Sequence, residues 1–239
     1  MDLFSKHQPE KFITTFLWFN GHYIGIQLKE GFDPVPIIRS YIKDEKIETT
    51  AQLPSSANAL LLVEVDGDRP GAMHSLDRVR QSLRSSALEV QEAGDGSELW
   101  AIRRYLSPAV GRIRPNKINE DIVVPRSRVP DYLEAMEALQ EEFRLPIVCF
   151  GHVGDGNMHV NVMIDASDSS ELERGEHAKR RVFELAVEMG GTISGEHGIG
   201  IMKSEFLPLA LQPDAIAAMK RIKAALDPNN ILNPGKIFP

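Results

Sequence analysis

Two apolar runs, Pro146–Phe150 and Met158–Ile164, are joined by a connection of seven residues, three of them glycine: Gly151-His152-Val153-Gly154-Asp155-Gly156-Asn157. A parallel crossover needs roughly a dozen residues or more, so strands linked this closely must pair antiparallel. That excludes an all-parallel α/β sheet. Helical periodicity recurs around these strands, over Pro70–Ala87, Ser97–Val110, Pro130–Phe143, Ser170–Met189, Lys203–Leu211 and Pro213–Leu226. Further strands read at Ala59–Val65, Leu88–Gln91 and Asp121–Val124. The fold class that accommodates all of this is α+β. It predicts a ferredoxin-like arrangement of a mixed or antiparallel sheet with helices on one face, followed by C-terminal helices and an irregular tail from Asp227.

The N-terminal part reads differently. Phe12–Phe19 and His22–Leu28 are rich in β-branched and aromatic residues, and Asn20-Gly21 between them suits a type I′ turn, so residues 12–28 read as a hairpin. Residues 29–58 hold Pro34, Pro36, Pro54 and the charged run 43–48, and read as a connector with one short helix. The expected division is 1–58, hairpin and connector, and 59–239, one α+β domain. Phe16, Trp18, Tyr23 and Ile24 are a heavy apolar load for a terminal hairpin. They are expected either to pack on the chain's own core or to support a homo-oligomer.

A net charge of −7 over 239 residues argues against nucleic acid or an anionic membrane as the main partner, since both need a basic face. No apolar stretch near the start is long enough to span a bilayer. The one cysteine, Cys149, rules out an intramolecular disulfide and fits a reducing, cytoplasmic setting. Flanked by Ile147, Val148 and Phe150, it reads as a small core residue rather than a nucleophile.

The chemistry is concentrated in two glycine-rich segments. In the first, 151–161, a tight antiparallel connection returns His152 and His159 side by side. Asn161, two residues past His159, shares its sheet face. In the second, 191–200, Glu196 and His197 sit among glycines. Two imidazoles and a carboxylate are a common set for a divalent metal with an open coordination position, which makes His152, His159 and Glu196 the expected ligands. His197 is then placed to act as a base beside the metal. A single loop histidine would carry no such meaning; three in two short glycine-rich loops do.

The segments GHVGDGNMHVNV and GGTISGEHGIGIMK resemble the C-terminal domain of FAD-linked dehydrogenases of the vanillyl-alcohol oxidase superfamily. That group includes D-lactate, glycolate-type and D-2-hydroxyglutarate dehydrogenases. Leu99–Arg103, Asp121–Pro125 and the tail Leu226–Lys236 add to the likeness, which runs in order from about Ala59 to Phe238. It implies that His152, His159 and Glu196 bind zinc or a similar metal, that His197 is the base, and that Arg103 grips a substrate carboxylate. It further implies that Ser107 helps hold that carboxylate, that Asn161 lies near the substrate, and that Asn233, in the tail motif, contacts the cofactor. Read without the resemblance, Arg103 is an ordinary solvated helix arginine. Where some members carry a substrate-contacting lysine this chain has Asn119, with Lys117 two residues earlier.

The implied reaction oxidises a 2-hydroxy acid to a 2-oxo acid. The metal acidifies the 2-hydroxyl, His197 takes its proton, and the hydride passes to FAD. The family's flavin-binding domain is not matched in this sequence, so the chain is expected to need a separate FAD-binding domain or subunit and to retain no flavin alone. The alternatives are a stand-alone metal-binding or interaction module without oxidoreductase activity, and a metal-dependent hydrolase with His197 as base.

Overall fold

The computed structural model describes residues 11–19, 22–23, 26–27, 43, 45, 59–66, 68–83, 87–93 and 97–238. The class is α+β, and every strand pairing among the described residues is antiparallel. The chain divides into two compact units, Met1–Arg112 and Ile113–Pro239.

The first unit contains β1 (Lys11–Phe19), β2 (His22–Tyr23), β3 (Ile26–Gln27), β4 (Ala59–Asp66), α1 (Arg69–Leu83), β5 (Ala87–Ala93) and α2 (Ser97–Val110). Here the expected hairpin over 12–28 is overturned. β1 does not pair with the strand that follows it; it is the middle strand of a sheet ordered β4-β1-β5, with Phe16 opposite Leu62 on one side and Gln91 on the other. β2 and β3 instead pair with each other, Tyr23 opposite Ile26. The reason is backbone satisfaction. A nine-residue strand presents donors and acceptors on both edges, and two strands of eight and seven residues satisfy far more of them than a two-residue partner could. The Asn20-Gly21 turn, Ile24, most of the connector and Gly94–Gly96 lie outside the described residues. α1 buries Ala72 and Leu76, one helical turn apart, and the Trp100 indole on α2 donates to Glu64 Oε2 on β4 at 2.7 Å.

The second unit runs β6 (Asn116–Val123), α3 (Val129–Phe143), β7 (Ile147–His152), β8 (Asn157–Ile164), α4 (Ser169–Glu188), a 3₁₀ turn at Ser204–Phe206, α5 (Leu207–Ala210) and α6 (Pro213–Leu226). Its sheet is ordered β6-β8-β7, as the short 151–157 connection requires for β7 and β8. β6 begins earlier than the apolar run suggested because it pairs along the whole of β8, from Asn116–Ile164 to Val123–Asn157. The expected helix over 203–211 is split, because Pro208 is tolerated only in a first helical turn.

β8 is buried at every position, and its alternation sorts two environments. Met158, Val160, Val162 and Ile164 join Tyr132, Met136 and Leu139 of α3 and Ala178, Val182 and Phe183 of α4 in one hydrophobic core. Asn157, His159 and Asn161 point the other way. The sheet thus has helices on one face and a polar row on the opposite one. Asp168 caps α4, its carboxylate accepting from the backbone N–H groups of Ser170 and Glu171. Cys149 packs against the core, and burial pushes its thiol up to about 12, so it stays protonated and is no nucleophile at neutral pH.

The Tyr132 ring is fully buried and its hydroxyl donates to the Val182 carbonyl at 3.1 Å, tying α3 to α4. Tyr132→Phe keeps the packing and deletes only this bond, so urea unfolding should show a loss of about 1 kcal/mol.

Candidate metal centre

The centre stands at the loop ends of β6, β7 and β8. His152 closes β7 opposite Asn157, and His159 sits two residues into β8 between Phe150 on β7 and Asp121 on β6. Gly156 makes the β7–β8 connection possible: its φ is +74°, and a Cβ there would lie 2.0 Å from the Val124 carbonyl oxygen. The connection therefore docks against the end of β6, with Val124 N–H donating to Gly156 O at 3.0 Å.

Glu196 and His197 come from the loop after α4. Residues 191–192 are pinned to β6 by a reciprocal bridge between Thr192 and Val123. Beyond it, Glu196 Oε1 lies 3.2 Å from His159 Nε2, 3.8 Å from His197 Nε2 and 4.0 Å from His152 Nε2. The His197 ring stacks on His159 with centroids 5.3 Å apart and planes 25° apart, and His152 meets His159 edge-on at 5.9 Å.

In each of two sets the donor atoms lie within 4.8 Å of one another: His152, His159 and Glu196, and Asp121, His159 and His197. The donor chemistry separates them. Ligands at about 2.0–2.2 Å around a tetrahedral ion stand about 3.4 Å from one another, close to the Glu196–His159 and Glu196–His152 separations. Asp121 is already engaged. Its Oδ2 accepts from the backbone N–H groups of Gly195, Glu196 and His197, each at 2.9 Å, and its Oδ1 accepts from Asn157 Nδ2 at 2.5 Å. A carboxylate has about four acceptor sites, and these bonds fill them. The residues that fit an ion are therefore His152, His159 and Glu196. Burial works against the Asp121 charge, but the N–H of His197, the Asn157 amide and the N–H groups of Glu196 and Gly195 outweigh it and hold the carboxyl at about 2.

A second charged group holds the same loop from the core side. Lys203 Nζ donates to the carbonyls of Asp121 (2.7 Å) and Ile193 (2.9 Å) and lies 3.7 Å from Glu120 Oε2. Both side chains are buried. Burial pushes the Glu120 carboxyl up and the Lys203 ammonium down, and their mutual attraction opposes both shifts.

Of the residues expected from sequence, His152, His159, Glu196 and His197 come together. Asn161 lies on the same sheet face as His159, fully buried. Its Nδ2 donates to the Val148 carbonyl at 3.1 Å, and its Oδ1 accepts from Asn119 Nδ2 at 2.6 Å. Arg103 and Ser107 lie on α2 in the first unit, half-buried and exposed respectively. Asn233 is an exposed tail residue in left-handed backbone, φ 49°. The residues missed in the sequence are Asp121, Asn157, Glu120 and Lys203. The available signal was a pair of acidic residues, Glu120-Asp121, heading an apolar strand.

The family model of FAD linked oxidases, C-terminal domain, matches residues 28–237. The chain is 41% identical over 190 residues to glycolate oxidase subunit GlcD of Bacillus subtilis, covering 78% of this chain and 40% of that protein. It is 40% identical over 144 residues to D-2-hydroxyglutarate dehydrogenase of Stutzerimonas stutzeri, covering 59% of this chain and 31% of that protein. Among solved structures, 4-ethylphenol oxidase from Gulosibacter chungangensis in its isoeugenol complex superposes with a TM-score of 0.59 at 16% identity, covering 97% of this chain and 54% of that one. At that identity the likeness concerns the fold alone. The chain spans about two fifths of the length of the glycolate oxidase subunits it matches. Among the described residues, no helix is long and apolar enough to cross a membrane.

Proposed function

This chain belongs to the family of FAD-linked oxidase C-terminal domains, and from that membership we propose that it is the substrate- and metal-binding part of a flavin-dependent dehydrogenase oxidising a 2-hydroxy acid to a 2-oxo acid. The observation that carries the reading is the convergence of His152, His159 and Glu196, with His197 stacked beside them.

In this reading the two imidazoles and the Glu196 carboxylate hold a divalent metal, and zinc suits such a nitrogen and oxygen set. When bound, the metal would supply Lewis acidity that lowers the pKa of the substrate 2-hydroxyl, and a flavin would supply the acceptor for the C2 hydride. His197 Nε2 takes the hydroxyl proton. Arg103 and Ser107 are assigned to the substrate carboxylate, where a guanidinium makes a two-point contact. Asn161, locked by Asn119 and the Val148 carbonyl, shapes the floor beside His159. FAD is assigned to a separate flavin-binding domain or subunit, with Asn233 as this chain's contribution. The span matched by the family model, residues 28–237, is taken as the substrate part. Leu226, Ile231 and Leu232, 79%, 74% and 60% exposed, supply apolar surface for such a partner or for a second copy of the chain. The single cysteine, the half-buried Cys149, supports a reducing, cytoplasmic setting.

Zinc titration of the metal-free chain tests the centre. About one zinc per chain is expected. His159→Ala should weaken binding more than about 100-fold, the upper end of what loss of an outer partner alone costs. Equal binding by wild type and His159→Ala would sink the metal assignment. Stoichiometric zinc with no flavin reduction by any 2-hydroxy acid, in the presence of a flavin-binding domain, would leave the metal-binding module as the reading.

A further inference from the structure

We infer that Asp121 is a positioning residue of the metal centre, holding Glu196 and His197 where the two β-strand histidines can share a ligand with them. The inference deepens the proposed metal site and rests on it in one respect, the zinc affinity used as a readout.

The loop that presents Glu196 and His197 has little else to fix it. Gly195, Glu196 and His197 are all exposed. Among the described residues no backbone–backbone hydrogen bond engages positions 193–198; the nearest are at Thr192 and at the Ile199 carbonyl. Beyond the Lys203 bond to the Ile193 carbonyl at its start, what the loop does have is one carboxylate beneath it. Three successive N–H groups, of Gly195, Glu196 and His197, converge on Asp121 Oδ2, and the Ser194 hydroxyl approaches the same oxygen at 3.4 Å. Successive amides pointing at one anion form a concave nest, which fixes the backbone direction at each of the three residues. Asp121 is in turn fixed from strand β8 by Asn157 Nδ2, which also donates to the Ile122 carbonyl at 3.2 Å. Asp121 stands directly opposite His159 in the sheet register. One residue therefore references the Glu196 loop to the strand that carries His159.

Gly195 shows how close this fit is. A Cβ there would lie 2.0 Å from Asn157 Nδ2 and 2.7 Å from Asp121 Oδ1, so a side chain at this position must displace either the loop or the pair beneath it. Asparagine at position 121 is nearly isosteric with aspartate, yet it cannot replace it. Oδ2 faces the N–H groups of Gly195, Glu196 and His197 with the Ser194 hydroxyl nearby, and Oδ1 faces Asn157 Nδ2, so an amide in either orientation sets its NH₂ against a donor unless Asn157 turns its own amide and gives up its bond to the Ile122 carbonyl. Asp121 is fully buried, so no water relieves that clash.

The test uses the full chain, stripped of metal, with zinc as the probe. Asp121→Asn is expected to weaken zinc affinity about 10–100-fold, the range for loss of a group that orients metal ligands. The number of sites per folded chain should stay near that of wild type. A purely structural role would reduce the folded, binding-competent fraction and leave the affinity of what remains unchanged. Hydrogen exchange supplies the second readout: the amides of 195–197 should be protected in wild type despite the exposure of these residues, and should lose protection in Asp121→Asn. Folded Asp121→Asn with wild-type affinity and wild-type protection would overturn the inference. If that variant does not fold by circular dichroism, Gly195→Ala, which displaces the loop from the same pair, takes its place, and unprotected 195–197 amides in wild type overturn the inference without any variant. If wild type binds no zinc, the metal reading fails separately, and amide protection alone decides whether Asp121 holds the loop.

Discussion

His197→Ala is expected to lower the rate of 2-hydroxy acid oxidation by about 10²–10⁴, the usual contribution of a general base, with zinc affinity within a few-fold of wild type. The expectation follows from where the ring stands. It lies against His159, and its Nε2 is 3.8 Å from Glu196 Oε1, outside the His152–His159–Glu196 donor set but within reach of anything bound beside that set. Its backbone N–H is held by Asp121, so truncating the side chain leaves the loop and Glu196 in place. The measurement is kcat and KM for a panel of small 2-hydroxy acids in the presence of a flavin-binding domain, with zinc titration in parallel. Loss confined to kcat supports a proton-transfer role. A parallel collapse of zinc binding would instead make His197 a ligand, and a variant as fast as wild type would remove it from the chemistry.

Lys203→Met should cost about 3–5 kcal/mol of stability, the range for removing one partner of a buried ion pair. Methionine preserves most of the volume of the aliphatic stem but removes the ammonium. Glu120 is then left buried on β6 without its cation, and the carbonyls of Asp121 and Ile193 lose the donor that joins them. The ammonium also sits 5.5 Å from the Phe183 ring centroid, so its loss reaches the core. Denaturant unfolding of the single variants and of Glu120→Gln/Lys203→Met closes a double-mutant cycle. The double variant should recover part of the loss, with a coupling on the order of 1–3 kcal/mol. A cost below about 1 kcal/mol for Lys203→Met would show that water reaches the pair and that the loop is not anchored there.

What was legible in the sequence was local. The antiparallel pairing of β7 with β8 follows from a connection too short to do otherwise. The helices of the second unit follow from apolar periodicity and from cues such as Pro130 and Pro213 in first turns. Asn161 on the His159 face follows from the two-residue period of a strand. The hairpin over 12–28 shows the limit of such reading. Its composition favours strands, but local sequence says nothing of which strand is the better partner. β4 and β5 offered β1 pairing along most of its length on both edges.

The amino-acid sequence by itself determined which groups are available for chemistry, two histidines on adjacent strands and a Glu-His pair among glycines, because residue type and short-range spacing are written directly in the chain. Only the tertiary structure decided how those groups are held together. Asn157 reaches Asp121 across 36 positions, the Glu196 amide reaches it across 75, and Lys203 reaches the Asp121 carbonyl across 82. A buried carboxylate is stable only where enough donors surround it, and no periodicity along the chain records donors that arrive from so far away.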